Sequence, residues 1–444
     1  MRSSGSYSPW LAQYAADRQQ TLGPDNRNDL SLSKATTALL RSMLGPVLFT
    51  FPALYQKTGF LVGLLLTIAS ASWSTCTMIM IARACEWMCQ ACGKETGVTY
   101  GHLCVSALKR TSYCRDATCE RLSYALNYAV AVFQIGICCF QVKFMTTHAA
   151  YLAKMTNCSF CGEKSYCHLA VIPCTCVVGA VANVTILAWM ALLANGLVAT
   201  VIVAVFREAV SKADIQFPSL DVQANFGTIC KVLGAVIFAF EGQTLILPLR
   251  NRMLQPQQLA SPIGVVPLSM LIITTVFITA GSVGFIALKE QAPESILLSD
   301  QVITHSWVQA AVIAVMLFAV MASYPFNLLA VVDILEEPWK ATLQRWGENV
   351  QKLPLTFLLR LLLSLLVGAL TIGIPDLESI TSFLGGSVGM LVCFVVPPLT
   401  LLMVELESVT MSVLKRRLLT ALRITQSLIG IAVACFTLTA NFAH

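Results

Sequence analysis

Residues 238–253 read Phe238-Ala239-Phe240-Glu241-Gly242-Gln243-Thr244-Leu245-Ile246-Leu247-Pro248-Leu249-Arg250-Asn251-Arg252-Met253: an apolar run opened by a glutamate and a glycine and then cut by a proline. A second interruption lies about half a chain earlier, at Gly45-Pro46-Val47-Leu48-Phe49-Thr50-Phe51-Pro52. In lipid, an interrupted helix survives only where its freed backbone groups are satisfied by protein, water or a bound solute. A matched pair of such breaks in the two halves of a chain marks the central site of a carrier more often than a pair of structural kinks.

The rest of the chain supports a bilayer setting. Hydrophobic residues make up 56%, charged residues 12%, and the mean hydropathy is +0.72, values foreign to a soluble protein of this length. Apolar runs of roughly 18 or more residues predict spans at 33–56, 58–82, 122–152, 169–183, 187–207, 229–250, 263–288, 306–336, 354–374, 379–403 and 421–442. The expectation is an all-α polytopic membrane protein of about eleven helices. Asn183 and Asn195-Gly196 place a turn inside the long stretch 169–207.

Most Lys and Arg fall in segments that are inside when the N-terminus is cytosolic, which sets that orientation and leaves the C-terminus on the outer or lumenal face. Residues 1–32 are polar, lack an apolar core and read as a disordered cytosolic tail. The net charge of +6 calls for no nucleic acid, since Lys415-Arg416-Arg417 and its like face anionic membrane lipid.

Cys85, Cys89, Cys92, Cys104, Cys114 and Cys119 crowd the loop after the second span and read as reduced or palmitoylated thiols rather than a zinc site. On the outer side Cys158, Cys161 and Cys167 share a short loop that has room for one disulfide, and Asn157-Cys158-Ser159 matches a glycosylation sequon. No metal or cofactor is expected. Paired acids, His clusters and nucleophile–base arrangements do not occur in or beside the spans, which argues against an enzyme.

The first break frees N–H groups that suit a carboxylate. The second puts Glu241 at mid-membrane, to take a proton, to neutralise an ammonium or to bond unwound backbone. Lys143 and Gln134 in the third span are pathway candidates. Arg360 in the ninth is expected to snorkel to an interface, and Arg41 to anchor or gate.

The run 238–253 resembles the sixth-span signature of the amino acid/auxin permease family. Ile374-Pro375-Asp376-Leu377-Glu378 through Gly385-Gly386, with Phe394-Val395-Val396-Pro397-Pro398-Leu399, is similar to its tenth span; Ser323-Tyr324-Pro325-Phe326-Asn327 to its eighth; Phe51-Pro52-Ala53 with Gly59 to its first-span exit; and Gln134-Ile135-Gly136 to its third span. The resemblance covers nearly all of residues 33–442 in order. It implies a LeuT-like 5+5 inverted repeat plus one extra helix, with a first repeat 33–207, a second 229–403 and the extra helix 421–442.

It further implies a secondary amino acid transporter working by alternating access, in proton-coupled symport of small or neutral amino acids. The alternatives are an amino acid sensor on a transporter scaffold, or an uncoupled exchanger or facilitator. Carried over, the substrate site falls on Gly45, Pro46, Val47, Phe240, Glu241, Gly242, Gln243, Ser323 and Tyr324, with Glu241 the proton-coupling candidate. The chain departs from the family in lacking a second glycine at Val47, and in having Ala38 and Met43 where proton- and sodium-coupled relatives carry His and Asn. The implied location is the plasma membrane or a vacuolar or endolysosomal membrane.

Overall fold

The computed structural model describes residues 30–92, 100–110, 116–156, 164–181, 184–212, 224–288, 293–303, 305–344, 355–407 and 412–442. The tail before residue 30, Asn157, Cys158, Cys161 and Asn183 lie outside them. The described residues are helical apart from turns, loops and one isolated bridge between Leu30 and Met253.

Gly45-Pro46 ends the first apolar helix, because proline lacks the N–H that would continue it. Helix α1 (Leu32–Met43) gives way to a 3-10 turn, Pro46–Thr50, and then to α2 (Phe51–Thr58), bent by 46°. The second half is thus α-helical only from Phe51, later than the Val47 start that proline alone suggests. Gly59 stops α2 at φ 88°, a left-handed conformation that favours glycine.

Next come α3 (Phe60–Cys92), α4 (Tyr100–Arg110), α5 (Asp116–Met155), α6 (Lys164–Gly179) and α7 (Val184–Lys212). Helix α4 lies outside every expected span. The turn expected within 169–207 falls after Gly179, but Asn195-Gly196 does not interrupt α7. Asn195 there accepts a hydrogen bond from Arg41 of α1, while Gly196 has nothing within 4 Å of its Cβ position.

The second half repeats the opening device. Helix α8 (Phe226–Ala239) breaks over Phe240–Gly242 and resumes as α9 (Gln243–Arg250). Then follow α10 (Val265–Ala287), α11 (Ser306–Gln344) and α12 (Leu355–Ile372). Helix α13 (Leu377–Leu384) runs through two π-helical stretches, Gly385–Gly389 and Leu391–Val395, into α14 (Val396–Glu407), and α15 (Val413–Phe442) closes the chain. Among the described residues eight helices are long and apolar enough to cross a membrane, two bent pairs pass the same test, and the shorter apolar helix Tyr166–Gly179 stands where the fourth span is expected.

Phe277 of α10 joins the two breaks, stacking on Phe51 at 4.4 Å between ring centroids and meeting Phe240 edge-on at 5.2 Å. Helix α15, mostly exposed, is fastened by bonds that include Arg423 to the Glu405 carboxylate (3.2 Å), Ser427 Oγ to Val395 O (3.1 Å) and Asn441 Nδ2 to Ser382 Oγ (3.0 Å). Cys85 and Cys89 are buried, which removes them as lipid acceptors at the membrane edge. Arg360 does not snorkel. It is buried, and it donates to Val181 O (2.9 Å) at the turn between α6 and α7.

Helix α8 and the start of the π segment approach closely. A Cβ on Gly385 would lie 1.9 Å from Gly234 O, a contact with main chain that no rotamer relieves. Gly385→Ala is expected to destabilise the protein by about 3 kcal/mol, read as loss of the monodisperse peak or a lowered Tm in detergent. Gly45→Ala, with nothing within 4 Å of its Cβ position, leaves the Tm unchanged.

Candidate functional site

The two breaks lie side by side and solve the same problem in opposite ways. At the second, nearly every freed group finds a protein partner. Ser74 Oγ of α3 donates to Phe240 O (2.6 Å), and Gln243 Oε1 accepts from the Gly242 amide (2.9 Å). The Gln243 amide nitrogen donates to Ser74 Oγ (3.1 Å) and Thr77 Oγ1 (3.0 Å). Glu241 Oε1 caps α9, accepting from the Thr244 amide (3.2 Å) and the Thr244 hydroxyl (2.8 Å). Gln134 Nε2 of α5 donates to that same Thr244 hydroxyl (3.0 Å). Gly242 is packed from above, since a Cβ there would meet the Met78 methyl at 2.8 Å.

The first break keeps its donors free. Leu44 N–H makes the last bond of α1, to Leu40 O (2.8 Å), and Leu48 N–H returns to Gly45 O (3.1 Å). Among the described residues the N–H groups of Gly45 and Val47 reach no acceptor, and Pro46 has none to offer.

Between the breaks lies a cavity of about 90 Å³. Its lining takes Gly45, Pro46 and Val47 from the first break, Phe238 and Glu241 from the second, Gln141 from α5, Asn195 from α7 and Ser323 from α11. It extends past Arg41, whose Nη1 donates to Asn195 Oδ1 (2.6 Å). The opposite approach is closed. There Lys57 pairs with Glu378, Gln56 Nε2 donates to Leu288 O (2.8 Å), His148 Nε2 meets Ser295 Oγ (3.1 Å) and Tyr151 donates to Asp300 (2.6 Å).

Five of the nine expected substrate residues, Gly45, Pro46, Val47, Glu241 and Ser323, therefore line one cavity. Phe240, Gly242 and Gln243 do not. They build the second break from behind. Tyr324 is fully buried and packs its ring against Gly179 of α6, because consecutive residues on a helix point about 100° apart and Ser323 takes the cavity side. Gln134 holds Thr244 and not the cavity. Lys143 is buried with its ammonium on Ile374 O, two residues and over half a turn round α5 from Gln141. Both side chains, read as pathway candidates, bond neighbouring segments and neither lines this cavity.

Gln141, Asn195 and Asn327 line the cavity without having been singled out as site residues. A signal for Gln141 was present, since it stands seven residues after Gln134, two turns along one face of an apolar helix.

A family model described as transmembrane amino acid transporter protein matches residues 28–442. Probable amino acid transporter skat-1 of Caenorhabditis elegans is 20% identical over 375 residues, covering 82% of this chain and 79% of that protein. Proton-coupled amino acid transporter-like protein pathetic of Drosophila melanogaster is 19% identical over 396 residues, covering 86% and 79%. Among solved structures, Mhp1, a nucleobase-cation-symport-1 family transporter, in its closed conformation with bromovinylhydantoin bound, aligns with a TM-score of 0.58 at 14% identity, over 95% of this chain and 94% of that one. Its inward-facing conformation aligns at 0.52, over 89% and 81%. These likenesses show the fold, which is LeuT-like.

Replacing the side chain that bonds three groups at the second break tests its structural part. Gln243→Leu strips Gly242 N–H of its acceptor in a buried site. A loss of about 2 kcal/mol is expected, seen as a lowered Tm.

Proposed function

The chain belongs to the transmembrane amino acid transporter family, and from that premise we propose that it moves small or neutral amino acids across a membrane by alternating access, in symport with protons. The observation that carries this is the pairing in one cavity of backbone donors without an acceptor among the described residues, Gly45 and Val47 N–H, with a carboxylate, Glu241, that has one oxygen engaged among them. An α-amino acid presents the complement: a carboxylate for the donors and an ammonium for the remaining oxygen, Glu241 Oε2.

The small volume supports small side chains. Phe238 and Phe140, in ring contact at 5.5 Å, bound it on one side. Proton coupling rests on Glu241. A carboxylate at this depth is held where gaining or losing a proton changes its interaction with the solute and with Thr244. In this reading the first repeat, 33–207, and the second, 229–403, each supply one break, residues 1–32 form a cytosolic tail, and the Arg41 end of the cavity faces the cytosol. The closed contacts around Lys57 and Glu378 then seal the outer or lumenal side, and a plasma or endolysosomal membrane suits the orientation.

Uptake of amino acids by purified protein in liposomes, with and without an imposed pH gradient, tests the reading. Gradient-dependent accumulation is expected. Exchange without accumulation would make the protein an uncoupled exchanger, and binding with neither would favour a sensor. Glu241→Gln is expected to abolish accumulation and its pH dependence while leaving the fold intact, because the amide oxygen of Gln still accepts from Thr244. Near-normal concentrative uptake with an unchanged pH profile would remove Glu241 from the coupling. Val47→Trp puts an indole into a cavity of about 90 Å³ and is expected to abolish uptake in protein that still elutes as wild type.

A further inference from the structure

Away from the two breaks, the tenth span loses a backbone bond through its own sequence. Between α13 and α14 the chain runs through two π-helical stretches, and the halves on either side are bent by 40°. In π geometry a carbonyl takes the N–H of the residue five places on. For Val392, in the second stretch, that residue is Pro397, which has no N–H. The place is filled from another helix: the hydroxyl of Tyr100, a buried residue of α4, donates to Val392 O. One turn along α4, Cys104 Sγ accepts from Thr400 Oγ1 of α14 (3.3 Å). Helix α4 is thus registered against the span at the π stretch and again two turns further on.

In an α-helix the same carbonyl takes the N–H four places on, and for Val392 that residue is Val396, which has one. Val392 O can therefore be bonded in two ways: to Tyr100 with this turn π-helical, or to Val396 with the turn rewound and the tyrosine released. A turn closed over five residues is longer than one closed over four, so rewinding re-aims the part of the span that precedes it. That part is α13, and the closed outer approach rests on it. Glu378 pairs there with Lys57, and the Leu377 N–H meets Glu294 Oε2 (3.4 Å).

We infer that the second π stretch is the hinge of the outer closure and that the Tyr100 hydroxyl latches it in the closed setting, so that α4 controls contacts made at the start of the span. The inference rests on the alternating-access reading given above. Without the hydroxyl, Val392 O is buried and unpaired in the closed setting but not in the rewound one, and the balance moves towards opening.

Tyr100→Phe keeps the ring and deletes the latch. In full-length protein in lipid nanodiscs, hydrogen–deuterium exchange of peptides within residues 374–396 is expected to quicken about tenfold, the penalty of one unpaired buried carbonyl, and to do so more than in the remaining helices. Coupling between two places is reciprocal. Glu378→Gln, which loosens the closure from its far end, is therefore expected to quicken exchange in α4, and it reads the same linkage if the Tyr100 variant does not fold. Wild-type exchange over 374–396 in Tyr100→Phe, quickening spread evenly over the protein, or wild-type exchange of α4 in Glu378→Gln would overturn the inference while leaving an amino acid carrier standing. Wild-type protein that neither accumulates nor exchanges amino acids in liposomes would remove the alternating-access reading, and this inference with it.

Discussion

Everything in this molecule depends on how peptide groups are satisfied where two helices stop in the middle of an apolar core. A bilayer supplies no water for them, so each break must be completed from within or by something that binds. The second break is completed by side chains of three helices. Ser74 and Thr77 come from α3, Gln134 from α5, and Glu241, Gln243 and Thr244 from the broken segment itself. The first is left, among the described residues, with two donors that reach no acceptor, on residues that line the cavity. One break is a finished piece of architecture, the other an open valence. The division explains why so many polar residues near the site never touch the cavity: they are occupied in keeping the frame rigid around the few groups left available.

The aromatic packing serves the same end. Phe277 contacts both Phe51, just after the first break, and Phe240, within the second. A single ring of α10 thus fixes the separation of two segments that are far apart in sequence. Burial of such rings contributes dispersion and area without any polar group to satisfy, which suits a position between two interrupted backbones.

Both breaks were legible in the chain because glycine and proline recur together at corresponding places in two apolar runs, one of them beside a mid-run glutamate. The membrane class and the order of spans were legible from the length of the apolar runs. What was not legible turned on which way a side chain faces. Ser323 and Tyr324 are neighbours in sequence and diverge in space. Lys143 and Arg360 looked like pathway or interface charges until their carbonyl partners, Ile374 and Val181, were brought near by folding. Asn195-Gly196 has the composition of a turn, yet its asparagine is held by Arg41 in an unbroken helix. Helix α4 escaped notice because it is too short to span and too mixed in composition to stand out between two long runs.

The isolated bridge between Leu30 and Met253 is small, two backbone bonds of 3.0 Å: Leu30 N–H to Arg252 O, and Leu254 N–H to Leu30 O. Its position gives it leverage. It ties the start of α1 to the segment just beyond α9, and these are the outer ends of the two half-helices whose inner ends meet at the cavity. Two rods hinged at one end and strapped at the other behave as one arm of a linkage. A swing of α1 that parts Arg41 from Asn195 pulls on these two bonds, so the strap couples the half-helices α1 and α9 across the two breaks.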